Sequence, residues 1–423
     1  MFHRYLYILF LFCLCLFIPI DNVIAKFFIG FMVINWAVEL RFIAKIKRIF
    51  LNRRRIHILL FALFYILYLI GLLYSDNMDY GRFDIEVKLS LVIFPILFAT
   101  FEPEIFRIIR IRYLFAAFVA GCLFASVYCT VHALAGYLQT GDPGIWSYSR
   151  FSVLHHTSYF SMFLNFAVVL VLAWFREHLR VVTRWQLVGI TLLLLYFSLM
   201  VVLITSKIGL ISLLVIYLLF TLLLLTQKGE RKMAPYPVIL AVMMVTMMLM
   251  SPGTMHRMDT STGVVKQADT VSANASESTA ERILVWRSSL HIIREHPLYG
   301  VGTGNVKDAL LKEYEQHGIK YALSRRLDAH NQYLQTTLSL GLIGLLALLT
   351  MLLWPGILAF IRKDYIYLFF ILLVSMNIFV ESMFENQAGV VFYAFFNTLL
   401  FWYLPAGQKY AGKATMRRFS GEL

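Results

Sequence analysis

Charge is what this chain has least of. Asp, Glu, Lys and Arg make up 15% of its 423 residues against 60% hydrophobic ones, and the mean hydropathy is +0.73. The length alone would allow two soluble domains, but runs this apolar can be buried only in lipid. Acidic residues are scarcest, 24 against 38 basic for a net charge of +14. Nucleic acid is still not an expected partner, because the basic residues cluster between apolar runs and do not line one soluble face. Cysteine is confined to Cys13, Cys15, Cys122 and Cys129. All four lie inside apolar runs, which argues against a disulfide framework and leaves the redox compartment open. No small-x-small cleavage site directly follows the first apolar run, Tyr5 to Ile20, so that run reads as a retained helix and not a signal peptide. Charges near mid-span are nearly absent, Glu39 being the closest case, which disfavours a polar path through the bilayer. The His155-His156 pair has no carboxylate or cysteine at metal-binding spacing, and neither metal nor cofactor is expected.

What is present is a series of long apolar segments. Twelve lie near residues 5–20, 27–44, 57–74, 88–101, 113–138, 155–175, 186–204, 208–226, 234–251, 334–354, 365–380 and 389–404. The expected fold is therefore an all-α polytopic membrane protein of about 12 spans. Helices 1–9 fall within residues 1–251 and helices 10–12 within 334–404, with a polar loop at 252–333 between them and a basic tail at 405–423. With the N-terminus inside, 23 basic residues fall in the inside loops and termini, among them Arg41, Lys45, Arg53, Arg107, Arg176, Lys228, Arg362 and Lys413. The short outside turns hold only Lys26, Arg82, Lys88, Arg150 and Lys207. This asymmetry predicts both termini cytoplasmic and the polar loop extracytoplasmic.

The loop is the one long segment that lipid cannot hold. Residues 257–280 are rich in Ser, Thr, Asp and Ala without helical periodicity, which predicts a flexible stretch. From Glu281 the spacing of Ile283, Trp286, Leu290 and Ile293 predicts an amphipathic helix ending at Pro297, with Arg287, His291 and Arg294 on a second face. Gly300, Gly302 and Gly304 then predict a turn. Val306 to His317 reads as another short helix, and both helices are expected on the membrane surface.

Four positions on that side could do chemistry: Arg150, Lys207, Arg282 and His330. Lys207 lies in a short turn between two apolar helices. Either it snorkels to the interface or it meets an anion. Arg282 opens the amphipathic helix, where a cation works against the helix dipole, so an external anion is suggested; Glu281 beside it is the plainer partner. An arginine fork suits phosphate oxygens. His330 stands where the chain re-enters the membrane, with Asp328 placed to cap that helix. A lone interfacial histidine is more often structural than catalytic. Glu381 and Glu385 read chiefly as partners for nearby cations. Together these residues describe a cationic site with one titratable group, suited to an anionic lipid-linked substrate.

Four short elements resemble motifs of the O-antigen ligase and polymerase superfamily of bacterial envelope enzymes. Ser206-Lys207-Ile208-Gly209 resembles its Ser-Arg-x-Gly element, and Glu281-Arg282-Ile283-Leu284-Val285-Trp286 its Gly-Arg-x-x-x-Trp helix start. Pro297-Leu298-Tyr299-Gly300-Val301-Gly302-Thr303-Gly304 is similar to its Pro-x-x-Gly-x-Gly turn. His330-Asn331-Gln332-Tyr333-Leu334 looks like its His-Asn-x-x-Leu motif. The core of the likeness covers about residues 190–350. It departs at Lys207, where the family pattern has arginine and a point charge replaces a bidentate fork.

The resemblance implies a metal-independent glycosyltransferase of the bacterial inner membrane, with its active site on the periplasmic side. The donor would be a glycan on undecaprenyl diphosphate. The acceptor would be a lipid A-core sugar hydroxyl for a ligase, or a lipid-linked glycan for an O-antigen or capsule polymerase. A transporter for the lipid-linked sugar is a further alternative. Carried over residue by residue, Lys207 and Arg282 hold the diphosphate with Arg150 in support, Arg282 also serves catalysis, and His330 orients or deprotonates the acceptor. The expected reading is a ligase.

Overall fold

The computed structural model describes residues 2–51, 53–179, 181–266, 272–273 and 277–403, so the basic tail at 405–423 lies outside the described residues. Every regular element among them is helical. Among the described residues helices fall on each of the twelve apolar segments, and six are long and apolar enough to cross a membrane: Ile111–Thr140, Thr157–Glu177, Arg184–Ile204, Lys207–Thr226, Arg231–Leu249 and Gln332–Arg362. The number is seven if the bent pair Asn22–Val38 and Phe42–Phe50 is one span. Phe2–Phe17, Phe61–Leu72 and Tyr365–Ile378 are shorter apolar helices, and Ser90–Thr100 runs for only 11 residues.

The expected span at 27–44 is not one straight helix. Asn22–Val38 ends at Leu40 and Arg41, both with positive φ, and the chain turns by 103° into Phe42–Phe50. The cause is charge. Lys45 is buried beside Glu39 at 3.2 Å and Arg48 reaches Glu102 at 2.9 Å, contacts that a continuous span would carry into hydrocarbon.

Thr157–Glu177 is the hub of the bundle and is buried along almost its whole length. Phe163 and Phe166 meet Phe118, Phe370, Phe392 and Phe396 at ring separations of 4.9 to 6.4 Å. Lipid offers apolar groups no less than the protein does, so packing and such aromatic contacts, each worth about 0.5–1.5 kcal/mol, hold the helices together.

The polar segment has more order than its composition predicts. Pro252–Lys266 is helical, which overturns the expected flexibility for residues 257–266; residues 267–271 and 274–276 lie outside the described residues. Tertiary contacts overrule the weak local pattern here. Thr254 is buried and donates to the Val202 carbonyl at 3.3 Å, and the Arg257 guanidinium lies 3.7 Å from the centre of the Tyr148 ring. Three more helices follow at Ser278–Glu295, Val306–Gln316 and Lys320–Arg325. They enclose a small core of their own, with Leu284, Val285, Ile292, Leu310, Tyr314 and Ala329 buried together with Leu338. The buried face of Ser278–Glu295 is thus Leu284, Val285 and Ile292, not the expected stripe through Ile283 and Leu290. Leu290 is exposed, and Trp286 turns to the Phe379 ring at 5.5 Å.

The glycine turn docks this layer onto the bundle. Gly341 breaks Gln332–Arg362 with φ 62°, ψ −157°. The carbonyls of Leu338 and Ser339 then accept from Val301 N at 2.8 Å and Gly302 N at 3.1 Å, while Leu342 N donates to the Pro297 carbonyl at 2.8 Å. A Cβ on Gly341 would sit 2.2 Å from the Leu298 carbonyl, and one on Gly300 would sit 2.4 Å from the Leu338 oxygen. Both glycines are required by this close backbone approach as well as by positive φ.

Candidate functional site

Three of the four singled-out residues converge where the start of Ser278–Glu295 meets the segment that follows Tyr365–Ile378. Lys207 is the first residue of its helix, where Ser206 caps by accepting from Gly209 N at 3.3 Å. Asn165 of the central helix donates to the Gly209 carbonyl at 2.8 Å and fixes that end. The Lys207 Nζ donates to Glu277 Oε1 at 2.9 Å, Thr279 Oγ1 at 2.7 Å and Ser278 Oγ at 3.4 Å.

Glu277 also caps the helix that carries Arg282, accepting from Thr279 N at 2.7 Å and Ala280 N at 3.0 Å. That helix starts earlier than expected, at Ser278, so Arg282 stands in its second turn and not against the exposed N-terminal dipole. Lys207, and to a lesser degree the two capping amides, outweigh burial and hold the Glu277 carboxyl below its ordinary value.

Arg282 spreads its fork. Nε donates to the Val380 carbonyl at 3.1 Å, Nη1 to Ser278 O and Oγ at 3.3 Å, and Nη2 to Glu381 Oε1 at 2.8 Å. Glu381 is 5% exposed and also accepts from Ser158 Oγ at 2.9 Å. Burial alone would raise its pKa, but His330 and Arg282 bring it down to about 2. Glu381 faces His330 Nδ1 at 3.6 Å, and Asp328 lies 3.5 Å from the same nitrogen. Burial disfavours the imidazolium, yet these two carboxylates outweigh burial and Arg282 and leave the His330 pKa raised.

His330 has φ 45°, a left-handed conformation that costs a side-chain-bearing residue about 1–3 kcal/mol unless its surroundings impose it. They do: His330 N donates to Asp328 Oδ1 at 2.8 Å and Asn331 N to Ser382 Oγ at 3.3 Å. The cap of the following helix is Asn331, which accepts from Leu334 N at 3.1 Å; Asp328 holds the histidine instead of capping.

The chain Lys207–Ser278–Arg282–Glu381–His330 is thus one continuous polar network. Arg150 stands apart from it in its contacts: its guanidinium is bound to Asp142 at 2.6 Å and is 54% exposed. Sequence reasoning missed Glu277 altogether, because an acid in a Ser/Thr-rich stretch carries no local signal of its partner. Glu381 and Glu385 do pair with cations, as their placement suggested. Glu385 meets Lys88 at 2.9 Å, and Lys88, wholly buried, also bonds Asp84 and lies 4.5 Å from the Tyr68 ring centre. This second cluster was legible only as isolated charges.

Residues 190–349 match the family model described as O-antigen ligase. The matched stretch contains Lys207, Arg282 and His330 and ends before Glu381. No curated protein matches the chain.

Proposed function

We propose that this chain, whose residues 190–349 match the family model described as O-antigen ligase, is an O-antigen ligase. It moves a glycan from undecaprenyl diphosphate to a sugar hydroxyl of lipid A core at the periplasmic membrane face. The supporting observation is the convergence of two cations and a carboxylate-backed histidine through Ser278 and Glu381. The bias of basic residues supports both termini inside, an even number of crossings and a periplasmic site.

In this reading the acceptor oxygen attacks the anomeric carbon of the donor sugar, and the bond from that carbon to the phosphate oxygen breaks. Undecaprenyl diphosphate leaves with the bonding pair. Lys207 and Arg282 offset the charge that grows on it, a service that counts most in a site shielded from water. The acceptor proton passes to neutral His330, and Glu381 stabilises the imidazolium as it forms. Glu277 and Glu381 hold the two cations in place before the donor arrives. Arg150 is a supporting cation that would have to leave Asp142 to take part.

The test is the surface polysaccharide of a deletion strain, run on a gel beside the same strain carrying wild-type or His330→Ala protein. Bare lipid A core with long glycan still on its carrier supports the ligase. Core bearing a single repeat unit would assign the same chemistry to a polymerase instead. An unchanged ladder removes both.

A further inference from the structure

The other end of the bundle holds a cavity of about 370 Å³. Arg176 and Glu177 at its rim close the helix that begins at Thr157, next to Ser158 of the candidate site. Arg362 and Lys363 end the helix that begins at Gln332, beside His330. The Thr157–Glu177 helix has 21 residues. At 1.5 Å per residue it puts about 30 Å, the thickness of a hydrocarbon core, between the site and the cavity.

The rim carries both signs of charge, left unmatched. Among the described residues Arg362, Lys363 and Glu177 form no ion pair, although all three border one cavity. Arg176, by contrast, is neutralised by Glu230 at 2.6 Å. Asp364 caps the next helix through Tyr367 N at 3.1 Å, and burial, then Glu177, push its carboxyl above the ordinary range. A cation placed between these two acids would relieve both. The interior is apolar, with Phe220, Leu223 and Phe369 on its walls. A purely anionic headgroup would face the acids, and a soluble metabolite would leave the apolar walls unused.

We propose that this cavity binds a phospholipid with a phosphoethanolamine headgroup. Its phosphate meets Arg362 and Lys363, its ammonium meets Glu177 and Asp364, and the start of one acyl chain lies along Phe220, Leu223 and Phe369. The contact is non-covalent and independent of the transferase reading.

The experiment is native mass spectrometry of the full chain in detergent, titrated with phosphatidylethanolamine, phosphatidylglycerol and phosphatidylcholine of identical acyl chains. The expected result is retention of phosphatidylethanolamine about 10-fold above the other two, the size of one charge-assisted contact. Ala173→Trp, which fills the cavity, and Glu177→Gln should each remove that preference; Ala173 lines the cavity. If Ala173→Trp does not fold, the rim pair Glu177→Gln and Lys363→Gln carries the test, with melting temperature as the control. Equal retention of all three lipids, a preference for phosphatidylglycerol, or a preference that survives these substitutions would overturn the proposal.

Discussion

Lys207 Nζ and Arg282 Nη1 converge on one hydroxyl, Ser278 Oγ, at 3.4 and 3.3 Å. Two helices that are distant in sequence therefore present their cations side by side. A diphosphate would replace or extend the contacts these cations now make.

Arg282 makes four kinds of contact with one planar group, so its loss is not repaired by charge alone. Arg282→Ala is expected to weaken donor binding by about 10- to 100-fold, the value of one or two charged hydrogen bonds. Arg282→Lys should recover only part of this. Donor affinity of the purified variants, measured on a lipid-linked diphosphate, gives the answer.

Glu277 occupies Lys207 in the structure at 2.9 Å. Glu277→Gln keeps the helix cap and removes the competing charge. Donor affinity should rise by about 2- to 5-fold, as expected of a partly exposed ion pair. An unchanged affinity would mean that Lys207 does not meet the donor.

The raised pKa of His330 fixes the sign of the pH response. Its neutral form is the base, so transfer should climb as pH rises through a value above the usual histidine range. Glu381→Gln removes the leading stabiliser of the imidazolium, and the climb should move to lower pH while the maximal rate falls. The stability linkage runs the other way. The charged His330 stabilises the fold fully below its unfolded value, and this contribution is lost as pH rises through the raised folded value. The Glu381 contribution, with its pKa near 2, is present above the unfolded carboxylate value and fades as pH falls towards 2. A pH–rate profile and a pH series of melting temperatures test the two halves separately.

Lys88 is wholly buried between Glu385 and Asp84. Lys88→Met leaves Glu385 buried without its cation and should cost about 3–5 kcal/mol. The double variant Lys88→Met with Glu385→Gln should regain most of that loss. Thermal unfolding in detergent measures both.

Much of the bundle is legible in the sequence because span hydropathy is a local property; among the described residues helices fall on each of the twelve apolar segments, although only six or seven are long and apolar enough to cross a membrane. The site is half legible. Its cations and histidine stand out against an uncharged background, and their motifs mark them, but their carboxylates come from far along the chain. The Ser278–Glu295 helix carries apolar residues on two sides. Periodicity alone therefore picked the stripe through Ile283 and Leu290, whereas packing buried Leu284, Val285 and Ile292. Residues 257–266 read as flexible because nothing local encodes the contacts of Thr254 and Arg257. The break at 103° after Val38 was hidden in an apolar run whose charges, Lys45 and Arg48, find partners only in the fold.

The most direct measurement compares His330→Ala with the wild type in purified form, reading donor binding and glycan transfer on the same preparation. The account predicts donor affinity within about twofold of wild type and transfer reduced by about 100-fold or more, the size of a lost general base. Transfer that persists in His330→Ala, or donor binding lost along with transfer in a correctly folded protein, would contradict it.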